Sequence, residues 1–179
     1  MELSDVRTPR KADLLISFMD IRGFLGIAGA VPDLIRLFDL LNGWAAIIIK
    51  EIDEAGGRVV KFIGDACLSI FHGEDTDAGV LALLSAKTKA EAYLQKNGFP
   101  NRMRVTAHVG EAVIGEFGFG TCKAVDVFGD SVNTAASLER SDRRGQLIIS
   151  PQAFRKLTPP VRKMFHKFTP PIVYIAEQE

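Results

Sequence analysis

The stretch that most constrains this chain is Gly56 to Phe71, GGRVVKFIGDACLSIF. Two short apolar runs, RVVKFI and ACLSIF, are separated by the dipeptide Gly64-Asp65. Runs of this length joined by a two-residue turn containing glycine read as a β-hairpin. Val59, Val60, Phe62, Ile63, Cys67, Leu68, Ile70 and Phe71 suit a sheet buried on at least one face. Asp65 then stands at the hairpin tip, beside a glycine that lets backbone or ligand come close. Alternation along the strand puts Lys61 on the same face as Asp65. A lysine in so apolar a strand needs a partner, because an unpaired buried charge is costly. On its own, an aspartate at a hairpin tip is most simply a turn residue. A second aspartate upstream changes its meaning.

That aspartate closes the first apolar run. Leu14 to Met19 reads as a short buried strand ending in Asp20, and Ile21 to Phe24 as a tight exit from it. Pro32 and Asp33 suit a helix first turn. Leu34, Leu37, Phe38, Leu41, Ala45, Ile48 and Ile52 follow at helical spacing, and Gly56-Gly57 stops the helix. After the hairpin, Asp75-Thr76-Asp77 caps a second long helix to about Gln95, ended by Asn97-Gly98. Met103 to Val109 reads as a strand, with a turn at Gly110. Ala112 to Phe117 and Lys123 to Phe128 read as two more. Gly129-Asp130-Ser131 opens a helix to about Arg140. Leu147 to Ile149 is a strand, Ser150-Pro151 caps a short helix, and Phe165–Phe168 with 172–176 forms a terminal hairpin.

This order predicts an α+β fold: a ferredoxin-like βαββαβ antiparallel sheet with helices on one face and a C-terminal extension. Residues 1–11 read as a flexible leader and 12–179 as a single domain. In such a sheet the first strand lies beside the hairpin, so Asp20 and Asp65 become neighbours although far apart in sequence.

Composition narrows the function. The chain has 179 residues, 47% hydrophobic and 25% charged, ordinary for a globular domain. The formal net charge is zero, so no global field favours nucleic acid or an anionic membrane. No apolar run approaches a membrane span, and the polar N-terminus is unlike a signal peptide. The two cysteines, Cys67 and Cys122, make neither a disulfide framework nor a zinc pattern. A reducing cytoplasm is the expected location.

Two ionised carboxylates on adjacent strands repel unless a cation lies between them. A hard divalent ion with oxygen ligands, Mg²⁺ or Mn²⁺, suits that place. Two such ions can activate an attacking hydroxyl and hold a triphosphate for in-line displacement. The plainer alternative is a pair of strand-end turns, or a protonated structural dyad.

At this point three stretches match a family. Phe18 to Phe24 has the form F-x-D-I-x-G-F. Gly57 to Phe71 has the form G-x-V-x-K-x-x-G-D-A-x-x-x-x-F. Val125 to Ala136 has the form x-D-x-x-G-D-x-V-N-x-A-A. In this order they resemble the class III adenylate/guanylate cyclase catalytic domain, over about residues 12 to 176. The resemblance implies that Asp20 and Asp65 bind two ions per site, with the carbonyl of Ile21 as a further ligand. It implies that the amides of Gly23, Phe24 and Leu25 cradle the terminal phosphates, in keeping with a backbone anion nest. Lys61 and Asp126 take the place of the base-reading pair. In the family, Lys with Asp accompanies ATP and Glu with Cys accompanies GTP. A lysine donor suits adenine N1 and an aspartate acceptor suits the exocyclic amine. Cys122 is at the wrong position to be the guanine-reading cysteine. Asn133 takes the place of the residue that positions the ribose. In the family, the metal aspartates and the lysine come, at least in part, from one subunit and the asparagine from the other. A homodimer would then carry two sites at its interface.

The sequence also departs from the family. Four residues after Asn133, where the family has an arginine facing the α-phosphate, stands Ser137. A serine supplies no delocalised charge. Arg140 shares that helix face one turn on, and Lys167 is the nearest counterpart of a phosphate-binding lysine on the terminal hairpin. Leu25 replaces a threonine. These residues predict an adenylate cyclase making 3′,5′-cyclic AMP and pyrophosphate from ATP. The alternatives are a weak or inactive cyclase-homology domain that binds nucleotide and regulates a partner, or a heterodimer in which another chain supplies the arginine.

Overall fold

The first strand, β1 (Arg10–Ile21), runs through the middle of the sheet. The computed structural model describes residues 6, 8–142 and 145–176. Most of the expected leader, residues 1–5 and 7, lies outside the described residues. Its end is corrected: Arg10 and Lys11 already belong to β1, paired to Ile114 and Val113, and Val6 is buried. Polar residues can occupy this strand end because half of its positions face solvent.

Two helices follow, α1 (Phe24–Ala30) and α2 (Leu34–Glu54). The sequence shows only a tight exit at Ile21 to Phe24 before Pro32, since Gly26 and Gly29 weaken any helical signal there. Buried Ile27 holds it to the core. Asp33 caps α2, accepting the amide of Ile35 at 2.9 Å. The hairpin is present as β2 (Arg58–Ile63) and β3 (Ala66–His72). Next comes α3 (Thr76–Lys96), preceded by a 3₁₀ turn at Gly73–Asp75. Because of that turn the Asp75 side chain makes no cap bond. Asp77 instead accepts the amide of Thr158 at 2.9 Å, tying α3 to the C-terminal region.

The two strands expected on either side of Gly110 are one, β4 (Met103–Phe117), 15 residues long. Gly110 is paired with Leu14 inside the ladder. A side chain there would collide with Ser131, so this glycine marks close packing rather than a turn. Then come β5 (Ala124–Phe128), α4 (Asp130–Ser137) with a 3₁₀ turn at Leu138–Ser141, and β6 (Leu147–Ile149). The chain continues with α5 (Pro151–Lys156), α6 (Pro159–Arg162), β7 (Phe165–Phe168) and β8 (Val173–Ala176).

The eight strands form one sheet in the order β2-β3-β1-β4-β6-β8-β7, with β5 paired to β4. Its first four strands are the β-α-β-β-α-β core, and β6 joins β4 in parallel as the start of the extension. Alternate residues of β1 serve two faces. Leu15, Met19 and Ile21 pack with Leu40, Trp44, Ile48 and Ile52 of α2 and with Val80, Leu83 and Leu94 of α3. Leu14 and Ile16 join Ala112, Ile114 and Ala135 in a second cluster under α4. Burial on both faces explains why this strand reads as a continuous apolar run.

Candidate active site

The sheet register builds the site. Asp20 pairs with Ala66 of β3, one residue after the hairpin-tip Asp65, and with Arg104 of β4. Asp20, Asp65, Ile21, Gly23, Phe24, Leu25, Arg104 and Glu139 line one cleft of ≈ 550 Å³. The backbone amides of Asp65 and Ile21 favour the ionised form of the Asp65 carboxylate.

Electrostatics mark this pair as strained in its ionised form. Burial raises the affinity of Asp20 for its proton; Arg104 opposes that, and the charges of Asp65 and Glu139 add to it. Burial also raises Asp65, against the pull of the two amides and Arg104. Both groups therefore titrate above the ordinary carboxylate range, as acids enclosed beside like charge do.

Beside them, Gly23 takes φ of 75°, a left-handed conformation, and starts α1. The Gly23, Phe24 and Leu25 amides fall at the start of this helix, where backbone donors lack helical partners. The turn is pinned at three points. The Arg22 amide donates to the Arg102 carbonyl at 2.9 Å. The Arg22 carbonyl accepts from Asn101 Nδ2 at 2.9 Å. Arg22 Nε lies 3.5 Å from Oδ2 of Asp142, whose side chain is only 2% exposed.

Lys61 and Asp126 form a second group, joined at 2.6 Å between β2 and β5. Asp126 is further fixed by the Val127 amide, which donates to its Oδ1 at 2.8 Å. Asp65 lies in the turn beyond β2, outside the ladder in which Lys61 pairs with Leu68, so strand alternation does not by itself relate the two. Neither Lys61, Asp126 nor Asn133 is among the residues lining the aspartate cleft. Asn133 is exposed on α4, as is Ser137, whose hydroxyl donates back to the Thr134 carbonyl at 2.8 Å. Arg140 falls in the 3₁₀ turn after α4, exposed and without a side-chain partner among the described residues. Lys167 is exposed on β7.

Two cleft residues escaped the sequence reading. Arg104 Nε donates to Asp20 Oδ2 at 2.8 Å, and its Nη2 lies 3.2 Å from Oε2 of Glu139. Burial lowers its pKa, but the Asp20 bond and three nearby acids raise it on balance. The signal was available: an arginine between Met103 and Val105 in an apolar strand needs a partner, as Lys61 did. Glu139 gave no such signal, being a charged residue after an exposed helix.

Two carboxylates, with the Ile21 carbonyl if it faces the same cleft, would make a donor set of hard oxygen. That suits a divalent ion completing its shell with water and phosphate, the usual manner of Mg²⁺. Among the described residues no three His, Cys, Asp or Glu side chains form a cage able to hold a metal by themselves.

With this geometry the chain can be compared with known proteins. The adenylate and guanylate cyclase catalytic domain matches residues 6–171, and the chain belongs to that family. An adenylate cyclase of Anabaena cylindrica is 35% identical over 134 residues, 70% of this chain and 26% of that protein. The chain thus spans about a quarter of that relative's length. The crystal structure of the adenylyl cyclase CyaB from P. aeruginosa superposes with a TM-score of 0.83 at 21% identity, over 96% of this chain and 97% of that one. The guanylyl cyclase Cya2 gives 0.76 at 21% identity, over 96% and 94%. These two likenesses establish the cyclase fold and are shared by adenylyl and guanylyl enzymes. No described helix is long and apolar enough to cross a membrane.

Proposed function

We propose that this domain is an adenylate cyclase that converts ATP to 3′,5′-cyclic AMP and pyrophosphate at the interface of a homodimer. The convergence of Asp20 and Asp65 in one cleft carries the reading. Two Mg²⁺ or Mn²⁺ ions held by these carboxylates and the Ile21 carbonyl would lower the pKa of the ribose 3′-hydroxyl and neutralise the triphosphate. The 3′-oxygen attacks the α-phosphorus, the bond to the bridging oxygen breaks, and pyrophosphate leaves in line. The amides of Gly23, Phe24 and Leu25 donate to the terminal phosphate oxygens, and the Arg104 guanidinium supplies charge in the same cleft. Lys61 donates to adenine N1 and Asp126 accepts from the exocyclic amine. Asn133 orients the ribose.

The separation of Lys61, Asp126 and Asn133 from the aspartate cleft supports assembly from two chains. Lys61, expected at least in part from the same subunit as the aspartates, is assigned instead to the base-reading half with Asp126 and Asn133, so each copy brings its metal half to the other's base-reading half, giving two sites under two-fold symmetry. Exposed Phe117, Phe119 and Phe128 around the β4–β5 hairpin, with Leu25 at the cleft, offer apolar area to the second copy. A nucleoside triphosphate substrate suits a cytoplasmic location. Purified protein given Mn²⁺ and ATP should form cyclic AMP, and loss of the wild-type product would overturn the reading.

Ser137 supports a second reading, a domain that binds nucleotide, turns it over weakly and regulates a partner. Calorimetry showing ATP binding without product, with product gained in Ser137→Arg, would favour it.

A further inference from the structure

Arg104 is a cation already seated on the carboxylate that the proposed metal ions need. One planar guanidinium bridges two acids on different elements. Its Nε donates to Asp20 at the end of β1, and its Nη2 faces Glu139 in the turn after α4. The two acids differ in setting. The Asp20 side chain is 17% exposed, that of Glu139 51%. An enclosed carboxylate needs a counter-ion, and removing its partner leaves an uncompensated charge. Glu139, in contact with water, can gain or lose a partner at little cost.

We infer that Arg104 and a divalent cation are alternative counter-ions of Asp20, and that Glu139 is the positioning residue that keeps the guanidinium in the cleft when the cation takes its place. The inference rests on the metal reading above and adds an exchange to it. The fork geometry permits it. The Nε edge of the guanidinium can leave Asp20 while the Nη2 contact to Glu139 persists, because the two edges are served by different acids. Arg104 is then neither released to solvent nor left unpaired. Its freed N–H groups stay in the cleft lined by the Gly23–Leu25 turn, where phosphate oxygens accept them. Without Glu139, Asp20 is the remaining acid on the guanidinium, and the arginine blocks the ion.

The test reads Mn²⁺ binding to the full chain without nucleotide, from the free-ion electron paramagnetic resonance signal. Asp20→Asn identifies the uptake that belongs to this site. Arg104→Gln is expected to tighten that uptake roughly tenfold, the order of one charge-assisted bond removed. Glu139→Gln is expected to weaken it roughly threefold, and to have no further effect in the Arg104→Gln background. Arg104→Lys, which keeps the charge without the fork, falls between wild type and Arg104→Gln and covers the case in which the glutamine variant unfolds. A Glu139 effect of equal size in both backgrounds would mean direct attraction of the ion and would overturn the exchange, as would unchanged or weaker binding in Arg104→Gln. Wild-type protein with no Asp20-dependent uptake overturns the metal reading and the exchange together. Every other failure leaves the metal reading standing.

Discussion

Lys61 Nζ and Asp126 Oδ2 meet at 2.6 Å across β2 and β5, although 65 residues separate them. Each satisfies the other's charge, and the lysine remains partly exposed. A donor and an acceptor held side by side match the Watson–Crick edge of adenine and mismatch that of guanine. Sites built to hydrogen-bond a group discriminate strongly, because the wrong ligand leaves polar groups unpaired. Lys61→Ala or Asp126→Ala should lower kcat/KM for ATP by roughly 10²-fold or more. The double variant Lys61→Glu, Asp126→Cys should move the preference toward GTP. Steady-state assays with both nucleotides read the outcome.

The aspartate cleft and the Lys61–Asp126 pair lie apart within one chain, so two defective chains should repair each other. Asp20→Ala and Lys61→Ala are each expected to be inactive. Mixed in equal amounts, they should recover about a quarter of wild-type activity, since half the dimers carry one intact site of two. Cyclic AMP formation on mixing, measured against protein concentration, checks this.

Ser137 turns its hydroxyl onto the Thr134 carbonyl and offers nothing outward. An arginine there would project from the face that carries Asn133. Ser137→Arg should raise kcat by about 10²-fold, the scale of one transition-state donor, with KM little changed. Arg140 keeps the same edge, because residues three apart eclipse in a 3₁₀ turn. Arg140→Ala should lower kcat in the wild type and have less effect beside Ser137→Arg.

His108 is buried on β4, with Nδ1 2.9 Å from Ser150 Oγ. Burial lowers its pKa from the ordinary 6.5, and the charge of Asp13 opposes that shift. A histidine kept neutral by the fold contributes stability above its unfolded pKa. That contribution is lost as the pH falls through about 6.5, where the unfolded chain gains the proton first. Thermal melts should fall faster below that pH for the wild type than for His108→Gln, which cannot titrate.

Much of the fold was legible because its core strands and helices carry unambiguous periods. The hairpin around Gly64-Asp65 and the stripe from Leu34 to Ile52 are examples. What misled was punctuation. Gly110 reads as a turn, yet lies inside a ladder because Ser131 packs against it. Gly26 and Gly29 hid α1, whose stability comes from Ile27 in the core rather than from propensity. At the site, the two aspartates and the glycine turn stood out as strand-end features. Lys61 was seen to need a partner, and that partner, Asp126, lies on β5, brought close by tertiary packing that strand alternation does not contain. Glu139 carried no such signal, because its significance lies in a contact between β4 and the turn after α4.

The proposed chemistry requires Asp20 and Asp65 to act together as the ion-binding pair. The direct measurement is cyclic AMP production by purified wild type, Asp20→Ala and Asp65→Ala with Mn²⁺ and ATP, each variant first shown to be folded by its thermal melt. Product from the wild type and none above background from either variant is the predicted result. Product at wild-type rate from either folded variant would contradict it.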